Sequence, residues 1–191
     1  MIRSLLETYI QKISPITDQS LLTAFTDAWE VQEAGNDNSL LRIGEVSNHI
    51  YFAATGIARI YYNKHGKEIT EWIAMSPGFF LSITSFFHRT PSRLGIHVLE
   101  PSRVYGIHHD TLMEMAAKHH AIETWFRHAM SSALILSQER MDSILFETAQ
   151  QRYERLLLEQ PELIQRVPLS YIASFLGITQ ETLSRMRAAV K

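Results

Sequence analysis

The sequence predicts an α+β protein in which a small antiparallel β-roll with flanking helices precedes a long helix and a C-terminal helix-turn-helix. Three observations predict this fold class. Residues 29–107 hold short strand-like runs separated by Gly or Pro, residues 121–145 have the apolar spacing of a long helix, and residues 167–187 read as two short helices around a tight turn. With 46% apolar residues, the 191-residue chain can bury a core for one medium domain and one small one.

Two helices are expected before the roll. Apolar residues share one stripe up to about Lys12, and after Ser14-Pro15 a second helix is expected from about Asp18. We expect both to be packing helices.

The strands of the roll are predicted from β-rich runs between Gly and Pro positions. These runs are Leu40–Ile43, His49–Ala54, Ile57–Asn63, Glu68–Ala74, Ile96–Leu99 and Arg103–Ile107. The segment Asn63-Lys64-His65-Gly66 reads as a hairpin loop between two of them. Between Pro77 and Pro91 the alternation stops, and residues 78–87 are expected to form a short helical turn wedged into the roll, beside which a ligand could bind.

The long helix carries two apolar stripes. One stripe contains Ile122, Trp125, Ala129 and Leu136, and the other contains Phe126, Met130, Ala133, Ser137, Met141 and Ile144. A surface helix needs only one such stripe, so the sequence predicts a partner, most simply the same helix of a second subunit. We assign this dimer contact to Ile122, Trp125, Ala129 and Leu136. The alternative is that both stripes are buried within one subunit.

A further helix is expected from Thr148 to Gln160, where Pro161 ends it, and the helix-turn-helix follows. Its first helix has apolar residues at helical spacing through Leu176, with the small Ala173 where the two helices would cross. Gly177 can supply the positive φ of a tight turn, and Thr179 can cap the second helix.

The second helix leaves one face polar. Arg can fork onto guanine and Glu can accept from the cytosine amino group in the major groove of DNA. We therefore predict that DNA is contacted by Thr179, Gln180, Glu181, Thr182, Ser184, Arg185, Arg187 and Lys191. The alternative is a helical hairpin with a charged, solvated face.

Charge and composition agree with this prediction. Residues 166–191 carry four cationic side chains against Glu181 alone, a charge of +3 within a chain of net charge −2. The chain has no Cys, which excludes disulfides, iron–sulfur clusters and cysteine nucleophiles. No apolar run reaches the ~20 residues of a membrane span, and the N-terminus lacks a signal-peptide pattern, so we expect a cytoplasmic protein.

Taken together, these features resemble the Crp/Fnr family, the relatives of the cyclic-AMP receptor protein. The resemblance covers nearly the whole chain: two initial helices, a β-roll with Gly56, Gly66 and Pro77-Gly78, the two-faced helix and the C-terminal motif. It implies a cyclic-nucleotide-binding-like roll and a winged-helix-like DNA-binding domain. The most specific match is Glu181, Thr182 and Arg185 in the second helix, which implies that Glu181 and Arg185 read bases. Gln180 stands where the family often has Arg, which implies a different operator preference.

The resemblance also implies a ligand site in the roll, where this chain departs from the family. Members that bind cyclic AMP have a Gly-Glu pair for the ribose and an Arg-Ser pair for the phosphate. Here Gly78 is followed by Phe79, and the second pair is reversed as Ser92-Arg93. The candidate ligand residues are Gly78, Phe79, Phe80, Ser82, Arg89, Ser92 and Arg93. We expect cyclic AMP not to be the ligand; the phenylalanines favour a more apolar cavity or a collapsed one.

Two alternatives concern the same side chains. Arg89 and Arg93 could hold an anion, or they are ordinary exposed arginines in a Pro-flanked loop. The nine His residues lack the spacing of helix-borne or cupin-type metal ligands, so we expect surface or packing histidines, no metal and no enzyme activity. The competing class is a cupin-like, metal-dependent β-barrel enzyme with a helical tail.

The expected organisation is a sensor roll in residues 1–120, a dimerisation helix in 121–147 and a DNA-binding domain in 148–191. We expect a homodimer that binds a palindromic site on double-stranded DNA and not a membrane, with RNA polymerase and a small-molecule effector as further partners. A third possibility is a ligand-independent DNA-binding regulator. The sequence does not identify the cofactor or effector.

Overall fold

The computed structural model of the chain describes residues 2–35 and 38–189. Two N-terminal helices, α1 (Ile2–Ile13) and α2 (Gln19–Asp27), precede the roll as expected. Helix α2 begins after Asp18, whose carboxylate accepts from the backbone N–H groups of Ser20 and Leu21 and so satisfies two donors of the first turn. Both helices bury their apolar faces in one core with the start of the long helix.

The roll consists of two four-stranded antiparallel sheets. The strands are β1 (Glu30–Ala34), β2 (Ser39–Leu41), β3 (His49–Thr55), β4 (Ile57–Lys64), β5 (Lys67–Met75), β6 (Gly78–Phe80), β7 (Leu94–Val98) and β8 (Ser102–His108). One sheet has the order β1-β8-β3-β6 and the other β2-β7-β4-β5. The six predicted strands are present. The sequence prediction missed β1 and β6, because β1 is a polar edge strand and β6 has only three residues beside a proline.

The β4–β5 hairpin forms at the predicted loop. Lys64 pairs with Lys67, so the loop is the two residues His65 and Gly66, with φ of 53° and 78°. Two positive φ values in sequence are those of a type I′ turn, whose twist matches the flanking strands. Asn63 adds a side-chain acceptor for the backbone N–H of Gly66 at 2.9 Å.

Three helices follow within or after the roll: α3 (Ile83–His88), α4 (His109–Lys118) and α5 (His120–Phe146). The long helix α5 is close to its predicted bounds, but its inward face corrects the assignment of the dimer contact. Ile122 and Trp125 are fully buried within the protomer, and the indole N–H of Trp125 donates to the carbonyl of Ile10 at 3.1 Å. The prediction that these two residues face a partner is wrong, because α1 and α2 cover them first.

The C-terminal part is helical throughout residues 149–189, apart from short connections. It contains α6 (Ala149–Glu159), α7 (Pro161–Arg166), α8 (Leu169–Leu176) and α9 (Gln180–Ala189). Thr148 and Gln151 form a reciprocal capping box at the start of α6. None of the helices within the described ranges has both the length and the apolarity needed to cross a membrane.

Candidate nucleic-acid interface and sensor segment

Helices α8 and α9 form the predicted helix-turn-helix. Gly177 ends α8 with φ of 72°, and its N–H bonds back to the carbonyls of Ala173 and Ser174. Ile178 N–H also reaches the carbonyl of Ala173, at 3.0 Å, which satisfies the end of α8 and turns the chain sharply. Thr179 then accepts from the N–H of Thr182 at 3.2 Å. The turn and the cap are confirmed at these residues.

The inner faces of the two helices are buried together. Ile172, Ala173, Leu176 and Leu183 share one core with residues of α6 and α7. This burial leaves one face of α9 toward solvent, and its exposed polar residues are Gln180, Glu181, Ser184, Arg185 and Arg187. We call these five the reading face. Thr179 is exposed beside it, Thr182 is half-buried, and the predicted contact Lys191 lies outside the described residues.

A stripe of mostly apolar residues runs along the outer side of α5 and is exposed except at Met130, which is half-buried against the core of the N-terminal helices. Its members, Met130, Leu134, Ser137, Met141 and Ile144, are spaced alternately by four and three residues, which is the spacing of a coiled-coil seam. Leu134, Met141 and Ile144 are 67%, 48% and 53% exposed. We call this set the outward stripe. The sequence prediction placed four of its members on the second apolar face but missed Leu134.

The residues first assigned to the dimer contact lie elsewhere. Besides Ile122 and Trp125, Ala129 is half-buried against the core of the N-terminal helices. Leu136 is half-exposed and lines a crevice between α5, α6, β5 and α8. Its role in a dimer stays a prediction.

The sensor segment, residues 78–93, comprises β6, α3 and the loop before β7, and Phe80 and Phe86 are buried within it. Phe80 points into the roll, where its ring stacks on Tyr51 at 5.5 Å between centroids, and Tyr51 donates from its hydroxyl to the carbonyl of Leu40. Burial raises the pKa of Tyr51 to about 12. Phe80 and Tyr51 are thus both buried inside the roll, and the choice between an apolar and a collapsed cavity stays a prediction.

Phe79 points away from the roll interior. Because neighbouring residues of a strand alternate between faces, its ring packs on Phe52, Trp29 and Trp125, at 4.8, 5.5 and 5.7 Å between centroids. Its assignment as a ligand residue is therefore corrected. The fold itself explains why position 78 is a glycine, because a Cβ atom there would lie 2.9 Å from the carbonyl oxygen of Met75.

The hydroxyl groups of the sensor segment bond to one another and to the backbone. The Oγ atoms of Ser82 and Ser92 are 2.9 Å apart, and both residues are buried. Ser92 also donates to the carbonyl of Leu94 at 2.8 Å and accepts from its N–H at 2.9 Å. These contacts use the polar groups that a ligand would otherwise contact.

The two arginines of the segment differ. Arg89 ends α3 with φ of 54° and donates to the carbonyl of Ser47 at 2.9 Å and to the side chain of Asn48. These bonds join the end of α3 to the loop before β3; since Arg89 is also exposed, its assignment as a ligand residue stays a prediction. Arg93 is exposed, as in the alternative of an ordinary surface arginine.

Histidines are spread over the roll and the helices. His49 and His108 face each other across β3 and β8 with ring centroids 5.2 Å apart, and burial, followed by the charge of His108, lowers the pKa of His49. Within residues 2–35 and 38–189, no group of three or more His, Cys, Asp or Glu side chains is arranged to hold a metal ion.

One arrangement had no signal in the sequence: α8 rests on the outer face of the β4–β5 hairpin. Ile57 and Ile73 of the roll belong to the same buried core as the helix-turn-helix. The backbone N–H of Thr70 donates to the hydroxyl of Ser174 at 2.7 Å, and Trp72 meets Phe175 edge to face. The hairpin contributes isolated apolar and polar residues whose shared partner is more than 90 residues away, so local spacing could not reveal it.

Comparison with known proteins agrees with this architecture. A family model for the cyclic nucleotide-binding domain matches residues 32–119. No curated protein matches the sequence significantly.

Several solved structures share the fold. FixK2 from Bradyrhizobium japonicum is 19% identical, with 85% of this chain and 84% of that one covered and a TM-score of 0.70. CLP, the c-di-GMP responsive global regulator of Xanthomonas campestris, is 15% identical over 91% of both chains, with a TM-score of 0.70. A protein described as a regulator of the Crp/Fnr family from Eubacterium rectale is 15% identical over 88% of this chain and 81% of that one, with a TM-score of 0.69. Residues 32–119 thus match the family of cyclic nucleotide-binding domains, and the chain shares its fold with FixK2, CLP and the Eubacterium rectale protein.

Proposed function

We propose that the protein is a homodimeric, sequence-specific DNA-binding transcription regulator of the Crp/Fnr type, and not an enzyme. The observation that carries the proposal is the reading face of α9. Glu181 and Arg185 lie one turn apart near the start of a capped helix and are both exposed, while the opposite side of α9 is buried. This arrangement can enter a major groove with both side chains directed at base edges.

The division of labour follows the predicted boundaries. Residues 1–120 act as the sensor-type roll, 121–147 as the dimerisation helix and 148–191 as the DNA-binding domain. In a two-fold dimer the two reading faces contact half-sites of a palindrome about one duplex turn apart. Such a regulator acts in the cytoplasm, and RNA polymerase is the partner through which it affects transcription.

The outward stripe supports the dimer. Apolar side chains exposed in succession along a helix are stabilised when the same stripe of a second copy covers them, and the four-three spacing permits knobs-into-holes packing. The proposed dimer contact is therefore made by Leu134, Met141 and Ile144, with the half-buried Met130 at one end, and its axis passes along the outer side of α5.

The second part of the proposal concerns the effector. The filled interior of the roll and the mutual bonds of Ser82 and Ser92 favour a regulator that binds DNA without cyclic AMP. Two forms are compatible with this proposal: a different effector that displaces Phe80, or a constitutive DNA-binding protein. The alternative hypothesis of a cupin-like enzyme predicts that the purified protein contains bound metal, which elemental analysis measures.

Selection of binding sites from random duplexes tests the DNA-binding proposal. We expect the wild type to select a palindromic motif. Arg185→Ala should cost about 1–3 kcal/mol on that motif and relax the preference at one base pair, because a lost fork contact carries sequence information. The matched control is Arg187→Ala, which lies further along the helix and should weaken all sequences alike. Selection of no motif by the wild type contradicts the proposal.

Light scattering tests the dimer. Leu134→Glu places two like charges at the axis of the outward stripe, so we expect a monomer at micromolar concentration. Loss of the second half-site should lower affinity for the palindrome by about 10²-fold or more. Leu158→Glu is the control, since Leu158 is 84% exposed on α6 and away from the stripe. A monomeric wild type, or a dimeric Leu134→Glu variant, speaks against this interface.

A further inference from the structure

A buried arginine lies where the roll meets the DNA-binding part. Arg59 of β4 is 1% exposed. Its Nε donates to the hydroxyl of Thr70 at 2.9 Å, and its Nη1 lies 2.6 Å from a carboxylate oxygen of Glu68. All of these partners lie on the β4–β5 hairpin, so the guanidinium group is held in one orientation by the roll itself.

The open face of that guanidinium is covered by the helix-turn-helix. Its Cζ lies 3.8 Å from the ring centroid of Tyr171 on α8, and Tyr61 of β4 lies at 4.8 Å. Such stacking of a cation on an aromatic ring is strongest where water is excluded, as it is here. Three residues further along α8, Ser174 accepts from the N–H of Thr70. Arg59 and Thr70 therefore contact the same face of α8 from adjacent strands.

Two further contacts flank this one. Arg140 of α5 stacks on the ring of Phe175 at 4.0 Å and donates to its carbonyl, and Arg166 forms an ion pair with Glu100 after β7. Helix α8 is thereby joined to the hairpin and to the long helix, while α7, which ends at Arg166, is joined to the segment after β7. Since α8 and α9 share one buried core, the direction of α9 follows that of α8.

We infer that Arg59 is a positioning residue that fixes the reading face relative to the roll of the same protomer, and that this contact sets the separation of half-sites the dimer accepts. The inference rests on the proposed DNA-binding function. In this inference the β4–β5 hairpin orients α9 through a packed side-chain contact within each subunit. No bound ligand is needed for that orientation.

The choice of an arginine supports positioning over simple stabilisation. A buried ion loses its hydration, so apolar residues of similar volume often stabilise as well or better. A planar guanidinium with fixed hydrogen bonds, however, accepts an aromatic ring only on its faces, whereas the hydrophobic contacts of Ile57 and Ile73 have no preferred direction. Replacement of Arg59 should therefore change orientation more than stability.

Arg59→Met tests this distinction, because Met keeps apolar volume but not the hydrogen bonds or the charge. Binding is measured on a series of duplexes that hold the selected half-sites at different separations, and on a duplex with one half-site. We expect the wild type to prefer one separation by about tenfold or more and the variant to lose that preference. Affinity for the single half-site should stay within about twofold, since the reading face is unchanged. Arg42→Met, an exposed arginine on the roll, is the matched control and should keep the preference.

A distance measurement gives a readout that does not depend on DNA. The absence of Cys allows spin labels at Lys64→Cys on the hairpin and Ala188→Cys on α9, two exposed positions, in dimers diluted with unlabelled protein. Pulsed electron–electron double resonance should give one narrow distribution of label-to-label distances in the wild-type background and a broad distribution in Arg59→Met. Tyr171→Leu, which removes the stacked ring from the other side of the contact, should broaden it in the same way and remains informative if Arg59→Met does not fold.

The outcomes separate the two proposals. A wild type that selects no DNA motif removes the proposed function, whatever the distances are. A wild type with a preferred separation, combined with variants that keep both the preference and the narrow distance, overturns the positioning role of Arg59. Loss of single half-site affinity together with the separation preference also overturns it, because that result means damage to the reader itself.

Discussion

The sensor segment and the reading face differ in where their polar groups are directed. In the sensor segment, Ser82 and Ser92 bond to each other and Arg89 bonds to the loop before β3. On α9, the side chains of Glu181 and Arg185 are exposed to solvent. Other residues stabilise the motif: Gly177 ends α8, and Thr179 caps the start of α9.

This difference separates polar groups that stabilise the fold from polar groups that stay accessible to a partner. The backbone path from β6 through α3 to β7 is maintained by Phe80, Phe86 and the serine network, all of which are buried. A segment whose side chains satisfy one another is part of the core. A face whose polar side chains are exposed can instead bind a partner. Four measurements test whether the two regions differ in this way.

The largest effect is expected at Phe80. Phe80→Ala removes a buried ring from the roll and should destabilise the protein by about 3–5 kcal/mol in chemical denaturation, because the transfer term and the cavity both contribute. The half-exposed Ile83→Ala, in the same segment, should cost about 1 kcal/mol or less. If the variant still folds at low temperature, its selected DNA motif should be unchanged. A cost for Phe80→Ala no larger than that of the control means that the interior is not packed as described.

A smaller effect is expected for the serine network. Ser92→Ala leaves the N–H of Leu94 and the hydroxyl of Ser82 without their buried partner, so the free energy of unfolding should fall by about 1–3 kcal/mol. The adjacent Arg93→Ala is exposed and should stay within about 0.5 kcal/mol of wild type. Equal values for the two variants contradict a structural role of Ser92 and reopen it as a ligand contact.

The cap of the reading helix should have a local effect. Thr179→Ala removes the acceptor of the Thr182 N–H and should cost about 1 kcal/mol, with faster amide hydrogen exchange in the first turn of α9. Thr179→Ser keeps the hydroxyl and should restore protection. Unchanged exchange in the alanine variant shows that α9 is held by its packing alone.

The smallest effect is expected from cyclic AMP. Because Phe80 and Tyr51 fill the interior and Phe79 points to the opposite face, micromolar cyclic AMP should leave the melting temperature unchanged. A ligand that binds the folded state at 100 times its Kd contributes about 2.7 kcal/mol, which a thermal melt detects easily. A rise of several degrees therefore overturns the description of the segment as core.

Features encoded by neighbouring residues were predictable. The turn at Gly177, the cap at Thr179 and the hairpin at His65-Gly66 depend on φ preferences and hydrogen bonds within a few residues, and all three occur at the predicted positions. The six stronger strands were also predicted. The weaker β1 and β6 were not, because pairing with β8 and β3 defines them and local composition does not.

The candidate sites show the same limit. Spacing identified two apolar stripes on α5, but it could not say which one the protomer itself covers, since Ile10, Phe25 and Trp29 reach Trp125 from distant parts of the sequence. The resemblance to the Crp/Fnr family likewise placed Phe79 and Phe80 together in a candidate ligand site, whereas the strand directs them to opposite faces. The sequence therefore identifies an apolar stripe or a candidate segment, but it does not identify the residues that pack against it.

Interactions between residues close along the chain were enough to predict most of the helices, six of the eight strands, the turn between α8 and α9, and the polar residues of the reading face. Tertiary packing alone placed Phe80 on Tyr51 inside the roll, left Leu134, Met141 and Ile144 exposed, and buried Arg59 against Tyr171. Each of these features depends on contacts between side chains that are distant in sequence, and those contacts are determined by the close packing of the whole chain.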